Sequence, residues 1–184
     1  MILSIIIAVL IVIFDQITKG IVVSKMTIGE SVTIIPNFLK FRFVENTGAA
    51  FSSLSDATGL LLFISLIATA ALCYCLYKYT DYRDRPLLSV TISFVTGGCI
   101  GNLIDRFLTV IKLKGGVTDF IELYIGNKNI IGGSTFNVAD AFLVVGCILF
   151  IIDILFVDAA RDRKKAHPEI KEDIEDGNKE NRSN

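Results

Sequence analysis

Four stretches of the chain stay apolar for long enough to cross a bilayer: Ile2 to Val23, Gly59 to Tyr77, Leu87 to Leu108 and Val138 to Val157. A helix of ~20 mostly apolar residues covers the ~30 Å hydrocarbon core, so each run predicts a spanning helix. The first run has no basic segment before it and no small-residue cleavage pattern after it, and three more runs follow. It is read as a retained helix, not a secretory leader. Between the runs the pattern changes. From Ser31 to Glu45 (SVTIIPNFLKFRFVE) a β-branched stretch meets a Pro36-Asn37 turn. Alternation follows, with Leu39, Phe41 and Phe43 on one side and Lys40 and Arg42 on the other. This predicts a hairpin lying at the membrane surface. Val117 to Ile125, bounded by Gly115-Gly116 and Gly126-Asn127, predicts a second short strand. The expected fold is an all-α membrane protein of four transmembrane helices with a small extracytoplasmic β-rich segment. The helical unit covers residues 1–157, and the tail 158–184, charged and aromatic-free from Ala166 with Pro168 inside it, is expected to be disordered.

Charge then sets the orientation. Of the 184 residues 52% are hydrophobic, and Lys and Arg number 18 against 19 Asp and Glu, with a large share of both after Asp158. A net charge of −1 gives no basic field for nucleic acid. Four spans put both termini on one side. The short connection with Lys78, Arg83 and Arg85 and the tail opening with Arg161, Arg163, Lys164 and Lys165 favour that side as cytoplasmic. The longer connections carry Lys25, Lys40, Arg42, Lys112, Lys114 and Lys128. The segments Lys25 to Ala57 and Thr109 to Phe136 are therefore expected to face outward.

Polar side chains inside spans are expensive, ~2.5 to 3.5 kcal/mol each on insertion scales, and usually face a protein interior. Three clusters of them occur: Asp15, Gln16, Thr18 and Lys19; Gly97, Gly98, Gly101, Asn102, Asp105 and Arg106; and Asn137 with Asp140. One such cluster reads as helix glue; three point to a buried polar site. Asp15 and Lys19, four apart, can neutralise each other. Gly97 and Gly101 have the spacing of a close helix contact. Arg106, beside Asp105, offers that carboxylate a cation. Strand parity puts Asp119 on an apolar face with Val117, Ile121 and Leu123 and without an adjacent cation, and Glu122 on the opposite side. Asp140 lies in the first turn of the fourth helix, where the dipole alone would favour a carboxylate.

The single histidine, His167, sits in the tail, which excludes a Ser-His or Cys-His triad and an HExxH zinc site. A Ser-Lys pair built on Lys19 lacks a convincing serine. Cys73, Cys75, Cys99 and Cys147 all fall inside the apolar runs and form no CxxC. Thiol redox chemistry, a proton or ion pathway and a purely structural bundle stand as the competing readings of the residues.

Five segments narrow the field. DQITK at Asp15 to Lys19, NTGAAF at Asn46 to Phe51, GGCIGNLIDR at Gly97 to Arg106, VTDFI at Val117 to Ile121 and FNVAD at Phe136 to Asp140 together resemble the lipoprotein signal peptidases, the type II signal peptidases of bacteria. The resemblance covers all four runs and both outer segments in order. It implies a membrane aspartic endopeptidase that removes signal peptides from diacylglyceryl-modified prolipoproteins, cleaving immediately before the lipid-modified cysteine. The catalytic pair maps onto Asp119 and Asp140, with Asp15, Asn46, Asn102, Asp105, Arg106 and Asn137 as supports or substrate contacts. The resemblance also implies a β-cradle from the first outer segment and a bacterial cell-membrane location, with cytoplasmic termini and a site near the outer face. No metal or cofactor is expected. The expected partners are prolipoprotein substrates and membrane lipid, with no nucleic acid, and the chain is expected to act as a monomer. Two carboxylates sharing a water can divide hydrolysis between a base and an acid. The helix dipole and Asn137 favour Asp140 as the ionised member, and the apolar face and a nearby charge favour Asp119 as the protonated one.

Overall fold

The computed structural model describes residues 1–48, 57–126, 128–130 and 132–158. Helices α1 (Ile2–Lys25), α2 (Ala57–Tyr79), α3 (Pro86–Val110) and α4 (Val138–Ile152) fall on the four apolar runs, and α4 continues as a π-helical turn, Asp153–Asp158. All four, α4 taken together with its π-helical turn, are long and apolar enough to cross a membrane. Their outer faces leave Leu10, Phe14, Phe63, Ile67, Val144 and Ile148 exposed, a surface that suits lipid and would aggregate in water. The chain is a multi-pass membrane protein. The tail expected to be disordered lies outside the described residues beyond 158, as do Ala49 to Phe51 of the NTGAAF segment.

Helix α3 is the centre of the bundle. Half of its most apolar window is buried, against 11% for α2 and for α4, and it packs on α1, α2 and α4. Glycines allow the approach. A Cβ on Gly97 would come 2.9 Å from the Ala8 carbonyl oxygen of α1, and one on Gly98 2.6 Å from the Ala139 carbonyl oxygen of α4. The small-residue spacing read from the sequence is thus a two-sided helix contact. The C-terminal end of α3 closes in a Schellman turn, with Lys112 at φ 61° and the Leu113 N–H donating to the Leu108 carbonyl at 2.9 Å. This turn sends the chain back over the bundle into the sheet.

The sheet orders its strands β1 (Ser31–Ile35), β2 (Leu39–Asn46), β3 (Val117–Ile125) and β4 (Lys128–Asn129), each antiparallel to the next. The β1–β2 hairpin forms at the expected turn, where Asn37 takes φ 60°. The β2–β3 pairing joins the α1–α2 and α3–α4 connections and sets Val44 opposite Asp119 and Asn46 opposite Val117. A register shift lies between Phe41 and Val44. Phe43 is buried with Val22 of α1, Phe120 of β3 and Val138 of α4, and Phe41 packs on the same cluster, meeting Phe120 edge to face at 5.5 Å. Burial of such side chains, worth ~1.5–3 kcal/mol each, clamps the sheet onto the C-terminal end of α1 and the N-terminal end of α4. β3 is buried on both faces over most of its length.

One small contact decides where the site forms. The Phe120 and Ile121 N–H groups both donate to the Phe136 carbonyl, at 3.0 and 2.8 Å, and the Phe136 N–H donates back to Ile121 at 3.0 Å. The residue that follows Phe136 is Asn137, the start of α4.

Candidate active site

Asn137 is the N-cap of α4. Its Oδ1 accepts from the Asp140 N–H at 2.9 Å and its own N–H donates to Asp140 Oδ2 at 3.2 Å, a reciprocal capping box. The helix-start reading of Asp140 therefore describes one of its oxygens. The other, Oδ1, points to α3 and accepts from Asn102 Nδ2 at 2.7 Å. Fully buried Asn137 also reaches across to β3, where its Nδ2 donates to Asp119 Oδ1 at 2.7 Å. Asp119 Oδ2 accepts from Asn46 Nδ2 at 2.9 Å, and Asn46 is held in turn by the Gly48 N–H at 2.9 Å. One residue thus links both carboxyl groups, Asp119 through its side-chain amide and Asp140 through its backbone N–H, although they lie 21 residues apart in the sequence and on different elements.

Beneath this pair runs a row of buried charges. Lys19 Nζ lies 2.8 Å from Asp15 and 3.0 Å from Asp105, and donates to Asn102 Oδ1 at 3.0 Å. The Asp15–Lys19 pair forms as expected. Asp15 also caps the helix opposite it, accepting from the Ala139 N–H at 2.9 Å. The cation expected for Asp105 is a different one. Neighbours on a helix point ~100° apart and do not face each other, so Arg106 turns to α2 and donates to Ser65 Oγ at 2.6 Å. Asp105 is held by Lys19 and by Lys114, whose Nζ is 2.5 Å from Asp105 Oδ1, and by the Thr118 N–H at 3.2 Å. Lys114, Thr118 and Ser65 were not singled out in the sequence. Lys114 belongs to the connection between α3 and β3, and nothing local marks its partner.

Asp119 and Asp140 both line a cleft of about 70 Å³, room for a few water molecules, with Asn46, Asn102, Arg106 and, from α2, Leu61 around them. Burial, helped by the charge of Asp140, pushes the Asp119 carboxyl up to about 6 from its ordinary 3.8, against the lowering effect of the Asn46 and Asn137 donors and of Lys19. The arrangement offers one carboxyl that keeps its proton to near-neutral pH and a second, at a helix N-terminus, that is fed by donors. Of the sequence-derived site residues, Asn46, Asn102, Asn137, Asp119 and Asp140 meet in one network. Asp15 and Asp105 lie in the charge row behind it, and Arg106 is on the cleft wall. Glu122 is buried away from this network, accepting from the Tyr124 hydroxyl at 2.9 Å and facing Arg42 at 3.6 Å. The four cysteines are free and lie on α2, α3 and α4. Among the described residues no group of three or more His, Cys, Asp or Glu could hold a metal ion.

The comparison with known proteins follows this geometry. Residues 7–156 match the family described as signal peptidase (SPase) II. The chain is 42% identical over 154 residues to lipoprotein signal peptidases of Staphylococcus aureus, strains JH9 and N315 among them, covering 83% of this chain and 87% of the relative. Two solved structures, each described as a bacterial membrane enzyme determined by the in meso method, are similar in fold. One has a TM-score of 0.71 at 41% identity, covering 83% of this chain and 92% of that one. The other has a TM-score of 0.67 at 42% identity, covering 83% and 87%. With the match running through all four spans and the sheet between them, the chain belongs to the signal peptidase II family.

Proposed function

We propose that the chain is an aspartic endopeptidase in which Asp119 and Asp140 cleave diacylglyceryl-modified prolipoproteins immediately before the lipid-modified cysteine. Removal of signal peptides from prolipoproteins is the activity that family membership brings. The observation that carries the mechanism is the convergence of two carboxyl groups on one cleft through a shared residue, Asn137, whose side-chain amide donates to Asp119 and whose backbone N–H donates to Asp140.

In the proposed reaction Asp140 takes a proton from a water as its oxygen attacks the scissile carbonyl carbon, and Asp119 gives its proton to the carbonyl oxygen. A neutral tetrahedral diol results, with Asp140 now protonated and Asp119 ionised. In the second half Asp140 passes its proton to the leaving nitrogen and Asp119 recovers one from a diol hydroxyl as the C–N bond breaks. The products are the signal peptide's new carboxyl end and the free amine of the modified cysteine, and the pair returns to its starting state. Asn46 and Asn137 steady Asp119 through both halves, and Asn102 steadies Asp140. Asp15, Lys19 and Asp105 fix Asn102 and the start of α4, and Arg106 lies at the wall for the substrate backbone.

The site sits where the sheet covers the ends of the spans, so a diacylglyceryl group can stay in the bilayer while its cysteine enters the cleft. Each buried CH₂ is worth ~0.8 kcal/mol of that anchoring. Positive charge on the α2–α3 connection supports cytoplasmic termini and an outward-facing site. A monomer suffices, since every residue named comes from one chain. The test is incubation of the purified protein with lipid-modified and unmodified prolipoprotein, followed by mass analysis. Cleavage of the modified precursor alone, before its cysteine, is expected. Equal cleavage of both, or of neither, overturns the reading.

A further inference from the structure

We propose that Lys114 is a positioning residue for this cleavage: it holds Asp105 from the outer side, which leaves Lys19 to Asn102 and keeps the Asn102 amide turned toward Asp140. The inference rests on Asp119 and Asp140 being the catalytic pair. Its basis is a row of alternating charge. Asp15, Lys19, Asp105 and Lys114 follow one another through contacts of 2.8, 3.0 and 2.5 Å, two anions and two cations in sequence. Asp15, Lys19 and Asp105 are essentially fully buried, and Lys114, 19% exposed, closes the row at the rim.

Asp105 uses both oxygens. Oδ1 takes Lys114, while Oδ2 takes Lys19 and the Thr118 N–H. Removal of the Lys114 charge leaves Asp105 Oδ1 buried without the donor it has in the folded protein and the row one cation short, a state that costs far more inside a protein than in water. Lys19 is the one ammonium already at that carboxylate, and its third contact is Asn102 Oδ1. Drawn toward Asp105, it gives up Asn102. The orientation of that amide then loses its charged anchor. As it stands, Asn102 offers its oxygen to Lys19 and to Asn137 Nδ2 and its nitrogen to Asp140. Rotated, it would set an oxygen against the Asp140 carboxylate.

A second link works through the strand. Lys114 Nζ donates to Thr118 Oγ1 at 3.1 Å, so the same ammonium ties down the residue before Asp119. Both links depend on the Schellman turn at Lys112, which folds Lys114 back over α3. An Arg has the length and charge to reach Asp105, whereas Met and Gln fill the same volume without the charge.

The test uses the full chain, purified in detergent, with lipid-modified prolipoprotein as substrate. Lys114→Met and Lys114→Gln should each lower kcat by ~10–100-fold with KM within about 2-fold of wild type, because remote loss of alignment acts on the chemical step and not on ground-state binding. Lys114→Arg should stay within about 3-fold of wild type, since it retains the charge. Melting followed by circular dichroism accompanies each variant, and if Met unfolds the protein the Gln variant supplies the comparison. Wild-type kcat in a folded Met or Gln variant overturns the proposal, as does a loss carried by KM, or one that Arg fails to restore. A wild-type protein that cleaves no prolipoprotein strikes the catalytic reading itself, which keeps the two failures apart.

Discussion

Replacing Asp119 by Asn separates the proposed acid from the scaffold that holds it. The wild-type carboxyl keeps its proton in the folded state up to about 6, while in the unfolded chain it lets go near the ordinary 3.8. Between those values the native state binds more protons than the unfolded one, so stability falls as pH rises through this window and stays lower above it. At 1.36 kcal/mol per pKa unit the full drop is about 3 kcal/mol. The Asn variant has no such proton, and its stability should lack that decline between pH 4 and 6. At pH 7.5 it escapes the cost of a buried charge but offers one acceptor and one donor to the two amides of Asn46 and Asn137. That mismatch costs ~1–3 kcal/mol, which nearly offsets the gain. The variant should therefore fold about as well as wild type near neutrality and cleave ~10²–10⁴-fold more slowly, the range for a lost acid-base group. The wild-type kcat/KM should itself fall as pH rises through about 6, where the free protein loses the proton it must donate. The chain has no Trp, so melting is followed by circular dichroism across pH, beside cleavage of a lipid-modified precursor. An unchanged pH slope of melting in the variant would show that Asp119 is not the group with the raised pKa. Wild-type cleavage would refute its role as acid.

Asn137→Ala removes at once the α4 cap and the donor to Asp119. It should cost ~1–2 kcal/mol of stability for the cap alone and reduce cleavage by more than 10-fold, read from melting and initial rates. Gly101→Ala places a Cβ 2.7 Å from Asp15 Oδ2 and 3.1 Å from the Ala139 Cβ. The overpacking should lower stability by ~1–3 kcal/mol, and a melting temperature equal to wild type would mean that α1 and α4 do not press on α3 as described. A variant with Cys73, Cys75, Cys99 and Cys147 all changed to Ala should lose some packing and keep cleavage; a folded but inactive product would return thiol chemistry to consideration.

The four spans could be read directly because lipid imposes a local condition, length and apolarity over one continuous stretch. The β1–β2 hairpin was equally readable, since Pro36 and Asn37 mark the turn and alternation marks the strand after it. Asp119 and Asp140 stood out by their motifs and by being carboxylates in apolar surroundings. Partnership was not local. The pairing of β2 with β3 depends on how the α1–α2 and α3–α4 connections meet over the bundle, and it is this pairing that brings Asn46 to Asp119. Sequence adjacency suggested Arg106 as the cation for Asp105. The helix turns them apart, and the Schellman turn after α3 delivers Lys114 instead. Glu122 kept its strand parity, yet parity alone did not disclose that β3 is covered on both sides. Asn137 was expected as a support for the pair, and that it caps α4 came only with the structure. Only the Phe136 contact with β3 brings this α4 cap within 2.7 Å of Asp119, so that one residue serves both carboxyl groups, Asp119 by its side-chain amide and Asp140 by its backbone N–H.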